Sequence, residues 1–169
     1  MKKVIVMLMV GLLMASCATL TPEEKAAREA AIKESIKTTL QSKNYKINVN
    51  SVTPMRAGSR TISGSWIKMD STIVECWLPY AGLDDIPHLK TRGEFRLSSK
   101  IELKSEMSNY LIAINPTEER VIISFNADNH GLDCKFKIVI ENTGKAYIHV
   151  EPEKRDYIDY EGYLVLKKK

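Results

Sequence analysis

The sequence is poor in several features that would point directly to a function. It has 169 residues but only three Cys, eight Gly and six Pro, which excludes a disulfide scaffold, a collagen-like chain and a low-complexity chain. Its 25 Lys and Arg are nearly balanced by 21 Asp and Glu. This small excess of positive charge, spread along the chain, does not predict nucleic-acid binding. The length is that of one ordinary domain.

The most specific motif lies at the N-terminus. Met1-Lys2-Lys3 is a short cationic start, and an apolar run follows from Val4 to Met14, as in a secretory signal peptide. The run would extend roughly 16 Å as a helix, about half of the hydrocarbon thickness of a bilayer, so it is too short for a transmembrane helix. Met14-Ala15-Ser16-Cys17 then resembles the bacterial lipobox, in which the Cys is acylated before the preceding segment is removed.

The lipobox predicts both a signal-peptide cleavage site and a lipid anchor. Residues 1–16 are expected to be a signal peptide cleaved between Ser16 and Cys17, and two or three acyl chains on Cys17 would hold the protein firmly at a membrane. An Asp after the Cys would resemble an inner-membrane retention signal, but Ala18 stands there. We therefore expect a lipoprotein of the outer membrane that faces the periplasm and contacts the membrane through its lipid.

A helix is expected between this anchor and the rest of the domain, within residues 17–44. Thr21-Pro22-Glu23-Glu24 has the pattern of a capping box with Pro at the first helical position. The following segment is rich in Ala, Glu and Lys, and its apolar residues recur every four positions, at Ile32, Ile36 and Leu40. This narrow stripe predicts a helix that packs against the remainder of the domain.

Residues 45–166 show the period of two that is typical of strands with one buried face. The segments are separated by short polar turns, so antiparallel pairing is expected, because parallel crossovers need a dozen or more residues. The fold class is therefore mainly β (all-β or α+β), an antiparallel meander of about nine strands curled into a barrel or a sandwich. Residues 167–169 are expected to be a basic tail. The nine segments begin at Tyr45, Ile62, Thr72, Phe95, Tyr110, Val121, Leu132, Ala146 and Tyr157.

Two cysteines remain besides the predicted lipid anchor. Cys76 has the parity of Val74 and Leu78, and Cys134 has the parity of Phe136, so both thiols are expected to face the core. They are either buried free thiols or, if their strands are neighbours or face each other, a disulfide.

Two blocks of sequence carry a resemblance to a known family. The first is Trp77-Leu78-Pro79-Tyr80-Ala81-Gly82, and the second comprises Gly144-Lys145-Ala146, Arg155 and Ile158-Asp159-Tyr160-Glu161-Gly162. Together with the lipobox and the helix, they resemble the Bacteroidota lipoprotein family known as domain of unknown function 4251. The resemblance implies a small secreted or lipid-anchored domain without an assigned activity.

The first of these blocks is also a candidate site. Pro79 cannot donate a hydrogen bond to a neighbouring strand, so it ends or edges a strand. Trp77, Tyr80 and Gly82 are then either the mouth of a ligand pocket or ordinary packing at a strand end.

The sequence shows no catalytic motif. It has no Gly-x-Ser-x-Gly elbow, and His88 and His130 lie near acidic residues without the spacing of a metal site. We predict no catalytic residue, metal or cofactor, and we favour a non-enzymatic binding or accessory module in the envelope. Its partner would be an apolar small molecule or, if the core is filled, another envelope protein. A hydrolase of envelope or dietary polymers is the remaining alternative.

Overall fold

A computed structural model of the chain describes residues 21–55, 58–81, 99–115, 120–129 and 131–166. The predicted signal peptide, its cleavage site at Ser16, the lipid attachment at Cys17, the pocket residue Gly82 and the basic tail 167–169 lie outside the described residues. These parts of the sequence analysis remain predictions.

One helix, α1, extends from Pro22 to Gln41, and its N-terminus has the predicted capping box. The Thr21 N–H donates to Glu24 Oε2 at 2.8 Å, and the Glu24 N–H donates to Thr21 Oγ1 at 3.3 Å. Each side chain thus satisfies a backbone donor that the helix leaves unpaired. Within the described part of the chain, no helix is both long enough and apolar enough to cross a bilayer.

The strands form a closed antiparallel barrel in which each strand pairs with the next in sequence and the last pairs with the first. This confirms the antiparallel meander and decides for the barrel over the sandwich. The eight strands of the described residues are β1 (Asn44–Pro54), β2 (Arg60–Asp70), β3 (Ile73–Tyr80), β4 (Ser99–Asn115), β5 (Arg120–Asn129), β6 (Leu132–Glu141), β7 (Lys145–Pro152) and β8 (Ile158–Val165).

The described residues contain eight strands rather than about nine because two predicted segments belong to one strand. β4 has 17 residues; Ser99–Glu106 pair with β3, and most of Met107–Asn115 pair with β5. Within the second half, Asn109 adopts a positive φ of 53°, and the register of pairing with β5 shifts between Ser108 and Leu111. The interruption in the sequence pattern is therefore a bulge, which bends a strand without ending it.

The interior of the barrel is filled by the alternating residues that the sequence analysis assigned to the core. Tyr45, Ile47 and Val49 of β1 are buried, and Phe125 of β5 stacks on Phe136 of β6 with ring centroids 4.8 Å apart. In the second half of α1, Ile36 and Leu40 are buried as well. Each such side chain contributes about 1.5–3 kcal/mol by leaving water.

Closure of the barrel requires a residue without a side chain where β8 meets β1. Gly162 pairs with Val49, and a Cβ built on Gly162 would overlap the Asn48 carbonyl oxygen and lie 3.0 Å from the Val49 Cα. The register of β1 shifts just beyond this point, between Val49 and Ser51. The last Gly of the second sequence block therefore has a structural role, the close approach of the first and last strands.

We predict that Gly162→Ala lowers the free energy of unfolding by about 3 kcal/mol, because the new methyl group meets backbone atoms that cannot move independently of the sheet. Denaturant unfolding followed by circular dichroism measures this change. Gly58→Ala is the matched control, since nothing lies within 4 Å of its added Cβ. Equal midpoints for the two variants would contradict the assignment.

Candidate functional site

Two tyrosine hydroxyls join the two family-like sequence blocks at one end of the barrel. Tyr80, the last residue of β3, donates to the Asp156 carbonyl oxygen at 2.8 Å, and Tyr160 of β8 donates to the Pro79 carbonyl oxygen at 2.9 Å. Both side chains are only 1% exposed. Because β3 and β8 are not neighbours in the barrel, these hydrogen bonds connect parts of the wall that are not adjacent.

Arg155 completes this tyrosine lock, which we define as Pro79, Tyr80, Arg155, Asp156 and Tyr160. The Arg155 guanidinium carbon lies 5.9 Å from the centroid of the Tyr80 ring, within the range of a cation–π interaction. Burial raises the pKa of Tyr160 well above its ordinary value, so its hydroxyl keeps the proton that it donates. The lock therefore joins the end of β3 to the segment before β8 and to β8 itself.

The structure does not bring the predicted pocket residues Trp77 and Tyr80 together. Tyr80 points into the barrel, whereas Trp77 lies on the outer face opposite Trp66 of β2. The Lys46 ammonium lies 5.1 Å from the centroid of the Trp66 ring. Residues 77 and 80 differ in parity, and in a strand this difference places them on opposite faces.

Cys76 and Cys134 face the interior, as predicted, and both are buried free thiols in the structure. They belong to β3 and β6, which are not adjacent strands, and their thiols point to the carbonyl oxygens of Ile101 and Leu132, respectively. Burial raises the pKa of Cys76 to about 12 and that of Cys134 to about 11. Both therefore act as small apolar core residues rather than as thiolate nucleophiles.

A recess of about 610 Å³ lies on the outer wall of the barrel. Its polar row follows the register across three strands, since Lys137 of β6 pairs with His149 of β7, and His149 pairs with Asp159 of β8. An apolar row beside it contains Val139 and Tyr147. We call this surface the outer recess; its lining residues are Thr53, Lys137, Val139, Tyr147, Ile148, His149, Asp159, Tyr160 and Glu161.

A short polar contact in the outer recess joins His149 and Asp159. The two atoms His149 Nδ1 and Asp159 Oδ1 are 2.6 Å apart, and the Tyr157 ring packs against the imidazole with a centroid distance of 5.1 Å. A neutral imidazole that donates from Nδ1 keeps an acceptor at Nε2. Asp159 thus fixes the orientation of His149 in the recess.

The other border of the outer recess is held by Lys145. Its ammonium lies 3.0 Å from Glu161 Oε2 and 4.5 Å from the centroid of the Tyr147 ring. Tyr147 and Glu161 both favour the charged ammonium and raise the pKa of Lys145. One face of the Tyr147 ring is therefore in contact with the Lys145 ammonium.

A second recess of about 360 Å³ continues along the same wall towards β4. It shares Lys137 and His149 with the outer recess and reaches Leu111 of β4. Pairing of Leu111 with Ser124, and of Ser124 with Lys137, places these residues in one row across the sheet. The two recesses together therefore extend over six strands, from β4 through β8 to Thr53 of β1.

This arrangement is suited to binding. Within the described residues, His149 has its hydrogen bond with Asp159 alone, and no group of three or more His, Cys, Asp and Glu side chains could hold a metal ion. Asp128, near the end of β5, accepts a hydrogen bond from the Gly131 N–H at 2.9 Å, whereas His88 and His130 lie outside the described residues. The alternation that places His149 on the outer face of β7 is visible in the sequence, but its register with Asp159 is not.

Comparisons with known proteins agree with the fold. The family model described as "Domain of unknown function (DUF4251)" matches residues 27–164. A crystal structure of a DUF4251 family protein from Bacteroides eggerthii DSM 20697 is similar, with a TM-score of 0.64, 10% sequence identity and coverage of 83% of this chain and 91% of that chain. A search of curated proteins found none with significant similarity.

We predict that Tyr80→Phe and Tyr160→Phe each lower the free energy of unfolding by about 1–2 kcal/mol, because each leaves a carbonyl oxygen at the barrel end without its donor. Denaturant unfolding of both single variants and the double variant measures the loss and the coupling. Tyr163→Phe, at a side chain that is 51% exposed, is the control and should change little. Single variants as stable as the control would rule out the lock.

Proposed function

The chain belongs to the DUF4251 family, and we propose that it is a non-enzymatic protein-interaction module held at the outer membrane by a lipid on Cys17. The observation that carries the binding role is the location of its concave surface. The barrel interior is occupied by apolar side chains, whereas the outer recess lies on the wall. A filled core favours a partner that binds outside the barrel over an apolar ligand enclosed within it.

The chemistry of the outer recess indicates the kind of partner. Val139 and Tyr147 form an apolar surface in the outer recess. Lys137 has no ion pair among the residues that the structure describes. His149 supplies a further polar group beside it. A protein segment could place an apolar side chain against Val139 and Tyr147 and a carboxylate near Lys137. Such a partner would cover the apolar surface and pair with the free charge.

The proposed location follows from the lipobox. Residues 1–16 would be removed, Cys17 would carry the acyl chains, and the segment from Cys17 to α1 would connect the anchor with the barrel domain. With Ala18 after the Cys, the protein is proposed to remain at the outer membrane and face the periplasm. The enclosed apolar ligand and the hydrolase are the competing functions, and no observation on the described residues favours either.

We predict that Cys17→Ser abolishes incorporation of a labelled fatty acid and leaves an uncleaved precursor, because a hydroxyl cannot replace the thiol that is acylated. Metabolic labelling followed by electrophoresis measures both effects. Cys134→Ala removes a different thiol and should keep the label. A Cys17→Ser protein that still carries the fatty acid would disprove the proposed anchor.

We predict that a photo-crosslinking amino acid at position 147 gives a discrete protein conjugate in intact cells, because Tyr147 lies on the proposed binding surface. The same amino acid at position 163 is the matched control, since Tyr163 is an exposed aromatic residue outside the outer recess. Adding Lys137→Glu to the position-147 variant should reduce the conjugate by replacing the proposed partner of a carboxylate with a like charge.

Two results would overturn this function. One is equal conjugation from positions 147 and 163, which would indicate random collision. The other is a small molecule retained by the purified chain in native mass spectrometry, which would favour the enclosed ligand.

A further inference from the structure

The C-terminal half of β4 is an open edge in an otherwise closed barrel. β3 begins at Ile73, which pairs with Glu106, and the pairing of β4 with β3 ends there. Asn109–Asn115 lie beyond that point and are paired on one side, with β5. Among the described residues, no strand pairs with the other side of this segment. We call Asn109–Asn115 the free edge.

The free edge is apolar on both of its faces. Leu111 is 70% exposed, Ile112 is 44% exposed and Ile114 is 59% exposed. Leu111 pairs with the outward-facing Ser124, whereas Ile112 pairs with Ile123, whose side chain is buried. Three large apolar side chains within four residues, exposed on both sides of one strand, make a surface of the kind that marks an interaction site.

The charged residues of β4 do not lie in the part of the strand that forms the free edge. Natural edge strands carry Lys or other charged residues that prevent pairing with another chain. In β4, Lys100, Glu102, Lys104 and Glu106 all lie in the half that is already paired with β3. The free edge contains no charged residue at all. The free edge therefore lacks the charged residues that would prevent it from pairing with another chain.

The sequence of the free edge is complementary to itself in the antiparallel direction. With Ile112 at the centre, Leu111 of one copy faces Ala113 of the other, and Tyr110 faces Ile114. Each pairing sets a larger side chain against a smaller one, and Asn109 meets Asn115 at the ends. A twofold interface needs this property, since each surface must be its own complement.

We propose that two copies of this chain associate through antiparallel pairing of their free edges, centred on Ile112. The backbone groups at the edge would be paired across the twofold axis, as strands added to an exposed edge are. The exposed Leu111, Ile112 and Ile114 side chains would be covered in the same step. The occupant is a second copy because the segment matches its own reverse and carries no charge that would select a different partner.

Site-directed crosslinking of the complete chain tests this register. The twofold axis brings residue 112 opposite its own copy, with Cα atoms about 4.5–5.5 Å apart, which lies within the Cα range that a disulfide bridges. Ile112→Cys in intact membranes, oxidised with copper phenanthroline, should give a species of twice the chain mass on non-reducing electrophoresis. The unaltered chain, treated in the same way, controls for Cys17, Cys76 and Cys134.

Leu111→Cys is the matched control because it lies next to Ile112 and is more exposed. It should crosslink at least tenfold less, since it faces Ala113 of the partner copy. The double variant Leu111→Cys with Ala113→Cys should restore the crosslink. Equal crosslinking of Leu111→Cys and Ile112→Cys would overturn the proposed register, as would a conjugate of any other mass.

A mass measurement makes the test independent of the cysteine variants. The unaltered chain purified in detergent should have the mass of two copies by sedimentation, and Ile112→Lys should reduce it to one copy while its unfolding midpoint is retained. A single-copy mass for the unaltered chain would refute the pairing. It would point instead to another segment or another protein over the free edge.

Discussion

The contact on which the barrel depends is the approach of β8 to β1 at Gly162. A sheet of eight strands becomes a barrel only when its first and last strands pair, and here a side chain at position 162 would occupy the place of the Asn48 carbonyl group. Pairing of the first and last strands is a long-range contact. The entropy lost in closing the chain between them is compensated only when the barrel is complete. A glycine at this single position lets the two strands come close enough to pair.

The strand that closes the barrel also organises the rest of the molecule. Because side chains alternate along a strand, β8 sends Ile158 and Tyr160 inward and presents Asp159 and Glu161 on the outer wall. Tyr160 forms part of the tyrosine lock, and Asp159 fixes His149 in the outer recess. The short block Ile158–Gly162 thus contributes to three features: Gly162 to closure of the barrel, Tyr160 to the tyrosine lock and Asp159 to the outer recess. A substitution in one role perturbs the others through the same backbone.

The sequence predicted which side chains face the core and that consecutive strands pair, but it did not predict the register of that pairing. The period of two placed Tyr45, Cys76 and Cys134 in the core, and the capping box located the start of α1. The register between neighbouring strands depends on the stagger of the whole barrel, and the pattern within one segment does not contain this information. The pairing of His149 with Asp159 was therefore not predicted. The bulge at Asn109 was interpreted as a boundary between strands for the same reason.

The stagger that closes the barrel also explains why a free edge exists. β4 pairs with β3 along its first half and with β5 along its second, so it must be longer than its neighbours, at 17 residues. Its second half consequently extends past the start of β3. A closed barrel normally has no unpaired edge strand. Here the stagger of β4 relative to β3 leaves the free edge without a partner strand among the described residues. A barrel selected to remain solitary would carry charges on that segment. The uncharged, self-complementary sequence from Asn109 to Asn115 is instead what pairing with a second copy requires.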